Sequence, residues 1–147
     1  MTATIQTILG YLKTTLETIT TGNGYNFTVG QVYDDVTDLS NVNVSRSILI
    51  GDAVQRPEPG PAGYTRQWWT IPLDIYLTGV DNPQSDVNYA EHDVKKAILN
   101  YASSPHKLLG YVAEPVIRTI LKAAEPQNGA GLVGMEIEYY VLEDDTA

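Results

Sequence analysis

The stretch YTRQWWTIPLDIYLTG, Tyr64 to Gly79, decides the fold. Trp69, Ile71, Leu73, Ile75 and Leu77 stand at every second position. That period of two marks a β-strand with one buried face. Trp68, Thr70, Asp74 and Tyr76 occupy the other face. Trp69 is therefore expected in the core. Trp68, in a row with Tyr76, is an interface candidate if exposed. Pro72 interrupts the run and has no N–H to give a ladder, which predicts an edge strand or a bulged one.

Working outward, GVDNPQSD closes this strand and opens a helix, with Asn82 or Ser85 as N-cap. Val87, Ala90, Val94, Ala97, Ile98 and Tyr101 form its apolar stripe, and Glu91 pairs with Lys95 one turn on. SSPHK ends it. YVAEPVIRTILKA reads as a strand, and Val133, Met135, Ile137, Tyr139 and Val141 alternate in another that runs to Leu142. Toward the N-terminus, Ile5, Ile8, Leu9, Leu12, Leu16 and Ile19 step by three and four, an amphipathic helix over about residues 3–21. TGNGYN stops it, Gly22 and Gly24 suiting a left-handed cap. FTVGQVYDDV and NVNVSRSILIG read as strands. Between the last of these and Tyr64 lies DAVQRPEPGPAGYTRQ, with three prolines and two glycines from Pro57 to Gly63; this run suits neither a helix nor a central strand. The order is α–β–β–arm–β–α–β–β. It predicts a single α+β domain over residues 1–147: a mostly antiparallel or mixed sheet flanked by two helices, with an extended hairpin arm.

The bulk numbers narrow the function. A chain of 147 residues with 43% hydrophobic content can bury one well-formed core. No apolar run approaches the ~18–20 residues of a membrane span, so no membrane role is expected. MTATIQTILGYLK has neither a basic start nor a small-residue cleavage site, so no signal peptide is expected. The absence of cysteine excludes disulfides, thiolate metal sites and thiol nucleophiles. Nine basic residues against 18 acidic ones give a net charge of −9, which argues against gripping nucleic acid.

One stretch carries a chemical motif. NGAGLVG, Asn128 to Gly134, is a literal G-x-G-x-x-G. A dinucleotide fingerprint must follow a strand and open a helix, with a ribose-binding acid about 20 residues on. Here the glycines precede a strand, and only 13 residues follow Gly134. Gly129 and Gly131 read as a turn between the last two strands, and Gly134 as a bulge or close-packing position. No cofactor is expected. His92 and His106 lack ligand spacing and read as surface residues, so no metal is expected either. Asp34, Asp35 and Asp38 lack the spacing of a calcium loop and read as a solvated strand end. Glu136 and Glu138 lie two apart on one strand face, better read as a wet sheet surface than as a glycosidase pair. No catalytic residue or small-molecule substrate emerges.

The proline-rich arm is the most informative segment. At about 15 residues it is long for a loop in a compact domain, and such loops are commonly functional. It carries Arg56, Tyr64 and Arg66, residue types favoured at interfaces. With Trp68 these are the subunit-interface candidates.

The succession of IQTILGYLKTTLETI, SILIGDAVQRPEPG, YTRQWWTIPLDIYLTG, DVNYAEHDVKKAILNYA and GLVGMEIEYYVLEDD covers nearly the whole chain. It resembles the tail terminator, or tail completion, proteins of long-tailed bacteriophages and more loosely their neck proteins. The resemblance implies a non-enzymatic homo-oligomeric ring, usually a hexamer, that caps the tail tube and docks the head. It implies partners in the tail tube protein and the neck and head-connector proteins, and a place in the virion after synthesis in the host bacterial cytoplasm. DNA would pass the bore without specific binding, and Asp34, Asp35, Asp38, Glu136 and Glu138 are the acidic candidates for its lining. A head-closure or adaptor protein of the same neck stays open as an alternative. So does a small acidic ligand-binding or hydrolase domain, which would need a deep pocket with convergent polar groups.

Overall fold

The computed structural model describes residues 4–33, 45–59, 64–103 and 116–144; residues 4, 5, 7, 55–59, 64–68, 100–103 and 139–144 are described by backbone alone. Helix α1 (Thr4–Glu17) precedes strands β1 (Gln31–Tyr33), β2 (Ser47–Ile50), β3 (Val54–Pro59) and β4 (Tyr64–Leu77). Helix α2 (Pro83–Ser103) and strands β5 (Val116–Glu125) and β6 (Ala130–Asp144) follow. The six strands form one mixed sheet in the order β1-β2-β4-β6-β5, with β3 also on β4. β1 and β2 run parallel, and the other pairs are antiparallel. The α+β architecture expected from the element order is what the chain adopts.

Alternation builds the core. Ile71, Leu73, Ile75 and Leu77 of β4 are buried beside Val133, Met135 and Ile137 of β6, and Ile48 and Ile50 of β2 join them. Ile8, Leu12 and Leu16 of α1 and Val87, Ala90, Val94, Ala97 and Ile98 of α2 close over this face. Each large side chain buried this way contributes about 1.5–3 kcal/mol. Trp69, expected inside, packs at the core margin and stays partly exposed.

Helix α1 stops four residues short of its expected end. Thr14, Thr15 and Thr18 turn their hydroxyls onto the carbonyls of Gly10, Tyr11 and Thr15 at 3.0, 2.8 and 2.6 Å. Threonine side chains that bond backbone carbonyls compete with the helix ladder. A short 3-10 turn (Thr21–Asn23) then forms, capped by the Thr20 hydroxyl and ended by Gly24 at φ 91°. Ile19 remains fully buried although it lies beyond the helix. The strand expected over FTVGQVYDDV is confined to Gln31–Tyr33 among the described residues. Helix α2 starts as its sequence suggests. Pro83 is its first residue, and the Asn82 side chain accepts from the Ser85 N–H at 3.5 Å.

Strand β4 corrects two expectations. Pro72 does not mark an edge: β4 is paired along its whole length with β6 and, on its other side, with β2 and then β3. Pro72 sits where β2 has ended and β3 has not begun, and its carbonyl accepts from the Gly51 N–H at 2.9 Å. The missing proline donor faces this break, where no ladder partner is lost. Gly51 has no room for a side chain there, since a Cβ would lie 2.6 Å from Pro72 Cγ. The second correction concerns the arm, which is a ladder rather than a long loop. Val54–Pro59 pairs with Thr65–Thr70, so most of the segment expected as a loop is paired strand. The Gly51–Pro72 bond fixes which β4 residues turn their amide groups toward β3: the even-numbered ones, partners of Val54, Arg56 and Glu58. Pro57 and Pro59 fall between these, with their nitrogens turned away from β4. The prolines therefore cost the β3–β4 ladder nothing, and β3 is an edge strand, where proline is tolerated.

The arm has a third member. Residues Tyr64–Thr70 of β4 also pair with Glu138–Asp144 of β6, whereas among the described residues β5 reaches β6 only as far as Glu138. A three-stranded ribbon thus continues past the helix-covered part of the sheet.

Candidate functional site

Both helices lie on one face of the sheet, and the opposite face carries none among the described residues. Its register positions on β4 are the even-numbered ones, alternating with the buried Ile71, Leu73, Ile75 and Leu77. Arg56 pairs with Trp68, Glu58 with Arg66, and Tyr64 with Asp144. Arg56, Tyr64, Arg66 and Trp68 therefore share this face along the arm. Glu136 and Glu138, partners of Pro72 and Thr70, fall on the same face over the body. The strand pairing brings together six residues that the sequence offered as two separate groups. Asp34, Asp35, Asp38 and His106 lie outside the described residues.

Sequence reasoning missed Arg118. β5 sets it opposite Glu136, and its guanidinium lies 2.6 Å from Glu138 and 3.7 Å from Glu136. The two glutamates are thus a cross-strand ion cluster rather than a bare wet pair. Further along, Asp74 and Tyr76 stand on the same face. Partial burial pushes the Asp74 carboxyl up, and burial followed by the neighbouring Asp74 charge pushes the Tyr76 hydroxyl up. Gly134 lies between Asp74 and β5, with room for a side chain at ordinary contact distance: a Cβ there would lie 3.5 Å from Asp74 Oδ1 and 3.6 Å from Leu121 Cβ. β5 itself is a sheet edge and leaves Val116, Ile120 and Leu121 50–61% exposed. Ile120 is the extra residue of a β-bulge between Thr119 and Leu121, opposite Met135 and Gly134.

The glycine motif divides by role. Gly129, at φ 61°, ends a 3-10 turn (Pro126–Asn128), and Gly131 and Gly134 lie inside β6. Only Gly129 belongs to the turn expected for Gly129 and Gly131. At Gly131 a Cβ would lie 2.5 Å from Val87 Cγ1, so this glycine lets α2 settle on the sheet. The glycines thus lead into a strand, whereas a pyrophosphate site would place them at a helix N-terminus.

On the helix side, Glu91 does more than pair with Lys95 at 3.8 Å. It accepts from the Thr119 hydroxyl at 2.6 Å and lies 3.5 Å from Lys122 Nζ. The Thr119 bond, with help from both lysines, holds its carboxyl below the usual range. His92 is exposed one residue on. A cleft of about 520 Å³ opens between α1 and the β2–β3 crossing, with Leu9, Ile50 and Trp69 as its apolar wall. Gln6 and Asp52 stand among its lining residues, beside Gly10 and Gly51.

Among the described residues no three His, Asp or Glu side chains gather as metal ligands would, and no helix is long and apolar enough to cross a membrane. No protein-family model matches the chain, and no curated protein matches it.

Proposed function

We propose that this chain is a structural subunit of a homo-oligomeric ring in the neck of a long-tailed bacteriophage particle. The ring ends the tail tube and joins tail to head, with DNA passing through its bore. The observation that carries this reading is the arm. Three strands leave the helix-covered body together, and all four interface candidates fall on one face of that projection. A ribbon of this kind has little core of its own to bury. Its natural stabiliser is a neighbouring copy, which fits the resemblance of the sequence to tail terminator proteins. The charge is consistent with a bore that must release DNA. Six copies would carry roughly −54 in all, and repulsion keeps phosphates from sticking. Arg118 offsets part of the charge at Glu136 and Glu138, so these two contribute less to the bore than their number suggests.

The test is mass and placement. Sedimentation of the purified chain, or of the chain mixed with polymerising tail tube protein, should reveal a closed ring. That ring should halt tube growth when added. A chain that stays monomeric alone and with tube protein overturns the reading. A ring that binds the portal complex and leaves tube growth untouched assigns it instead to head closure.

A further inference from the structure

The glycine-rich stretch that leads into β6 holds a second chemistry, carried by Asn128 and Gly129. When glycine follows asparagine, its peptide nitrogen reaches the asparagine side-chain carbonyl carbon most easily, because no Cβ stands in the way. The chain has two such pairs, Asn23–Gly24 and Asn128–Gly129. Both asparagines are exposed and end a 3-10 turn, and both glycines are left-handed, at φ 91° and 61°. The pairs differ in what holds them. The Asn23 side-chain amide donates to the Thr18 carbonyl at 2.8 Å, just past α1. Its backbone N–H is held by the Thr20 carbonyl and hydroxyl at 3.1 and 3.2 Å, and the Tyr25 N–H returns to the same carbonyl at 3.2 Å. The groups that must move to close a ring are thus bound to backbone on both sides.

At Asn128 the side-chain amide donates to another side chain, the Glu125 carboxylate, at 3.0 Å. Glu125 is exposed as well and can follow the carboxamide as it turns. The Gly129 N–H, the attacking group, reaches the Pro126 carbonyl at 3.3 Å, a long bond with little to lose. The turn cannot exchange this glycine for a slower neighbour. A Cβ at Gly129 would lie 3.0 Å from the Val80 carbonyl oxygen, and its φ of 61° favours glycine.

We propose that Asn128 is a site of self-modification, deamidating through a cyclic imide. The Gly129 nitrogen bonds to Asn128 Cγ, the Cγ–Nδ2 bond breaks, and ammonia leaves with the proton that Gly129 gives up. Water then opens the imide at either carbonyl, giving aspartate or, with one more atom in the backbone, isoaspartate. Either product sets a second negative charge beside Glu125 in place of the donor it held. Isoaspartate also displaces Gly129, whose carbonyl accepts from the Val80 N–H at 3.0 Å and ties the β5–β6 turn to the connection between β4 and α2. The chain thus ages at this turn, gaining charge and losing a tie to the body.

The full-length protein is held at mildly alkaline pH, and both asparagines are followed by peptide mapping with mass spectrometry, chromatography separating the two aspartyl products. Asn128 should convert about tenfold faster than Asn23, the factor that one further hydrogen bond to be broken makes to a rate. In urea, with both turns unfolded, the two rates should converge. Asn128→Gln should keep that position intact, since the larger ring closes far more slowly. Hydrogen exchange at the Val80 amide should be faster in the converted protein than in the fresh one. Equal rates in the folded protein, faster loss at Asn23, no conversion at Asn128 while the urea sample reacts, or a preference that persists in urea overturns the site. Unchanged exchange at Val80 overturns the loosening of the turn.

Discussion

Asp93 is a charged residue in the apolar stripe of α2, only 1% exposed. Its carboxylate accepts from the Asn26 N–H at 2.7 Å, the Asn26 side-chain amide at 2.9 Å and the Phe27 N–H at 3.1 Å. One side chain thus ties the segment after the 3-10 turn to the second helix, across 67 positions of sequence. Asp93→Ala leaves those donors without an acceptor and should cost about 2–3 kcal/mol of unfolding free energy. Urea denaturation followed by circular dichroism measures it, and an unchanged midpoint would deny the side chain this role. Position 93 was readable in principle: it lies three residues after Ala90 and four before Ala97, where a core helix carries apolar residues. Its partners were not readable, because no local pattern points from residue 93 to residues 26 and 27. Pro72 was half legible for a similar reason. The lost donor follows from the residue itself, whereas the break it faces is made by two strands far away in sequence.

The elements followed their periods closely wherever one face was buried. β4, β6 and α2 lie near where their stripes put them, because alternation and the 3.6-residue repeat record burial directly. The arm was not legible as a ladder. Proline content argued against a helix or a central strand, and only the register shows that Pro57 and Pro59 turn their nitrogens outward. The joint face of Arg56, Tyr64, Arg66 and Trp68 was hidden with it, since that placement needs the β3–β4 alignment. Two glycines test how the helices sit. Gly131→Ala drives a methyl group against Val87 and toward Leu77, and overpacking of this kind costs about 1–3 kcal/mol. Gly10→Ala meets open space and should stabilise the fold by about 1 kcal/mol. Thermal unfolding of the two variants should shift in opposite directions. A Gly131→Ala variant at least as stable as the wild type would mean that the helix–sheet contact is not set by the missing side chain there.

At the scale of the whole molecule, two carboxyls make stability depend on pH in opposite senses. The Glu91 carboxyl is held below its ordinary value of 4.5, so its ion and hydrogen-bond network stabilises the fold above the carboxylate range. That contribution fades as pH falls through the lowered value. The Asp74 carboxyl is held above its ordinary 3.8, so its charge opposes folding at neutral pH. That penalty is relieved as pH falls through the raised value. Glu91→Gln should therefore lower the unfolding midpoint at pH 7, and Asp74→Asn should raise it. Both differences should shrink toward zero on acidification, once each carboxyl is protonated in the folded and unfolded chain alike. Melting curves across that range decide the matter, and an Asp74→Asn variant less stable than wild type at pH 7 would contradict the account.

The ladder between β4 and β6 runs without a break from Leu77↔Gly131 in the body to Tyr64↔Asp144 in the arm. It has no joint at which the projection could swing. A lengthwise pull on either strand is met in shear: the hydrogen bonds along the ladder bear the load together instead of opening one after another. A sideways push on the tip is carried back as leverage on the sheet beneath the helices. The arm is thus less a tether than a cantilever, and force applied at its end is felt at Ile71 and Ile137, among the most deeply buried residues of the core.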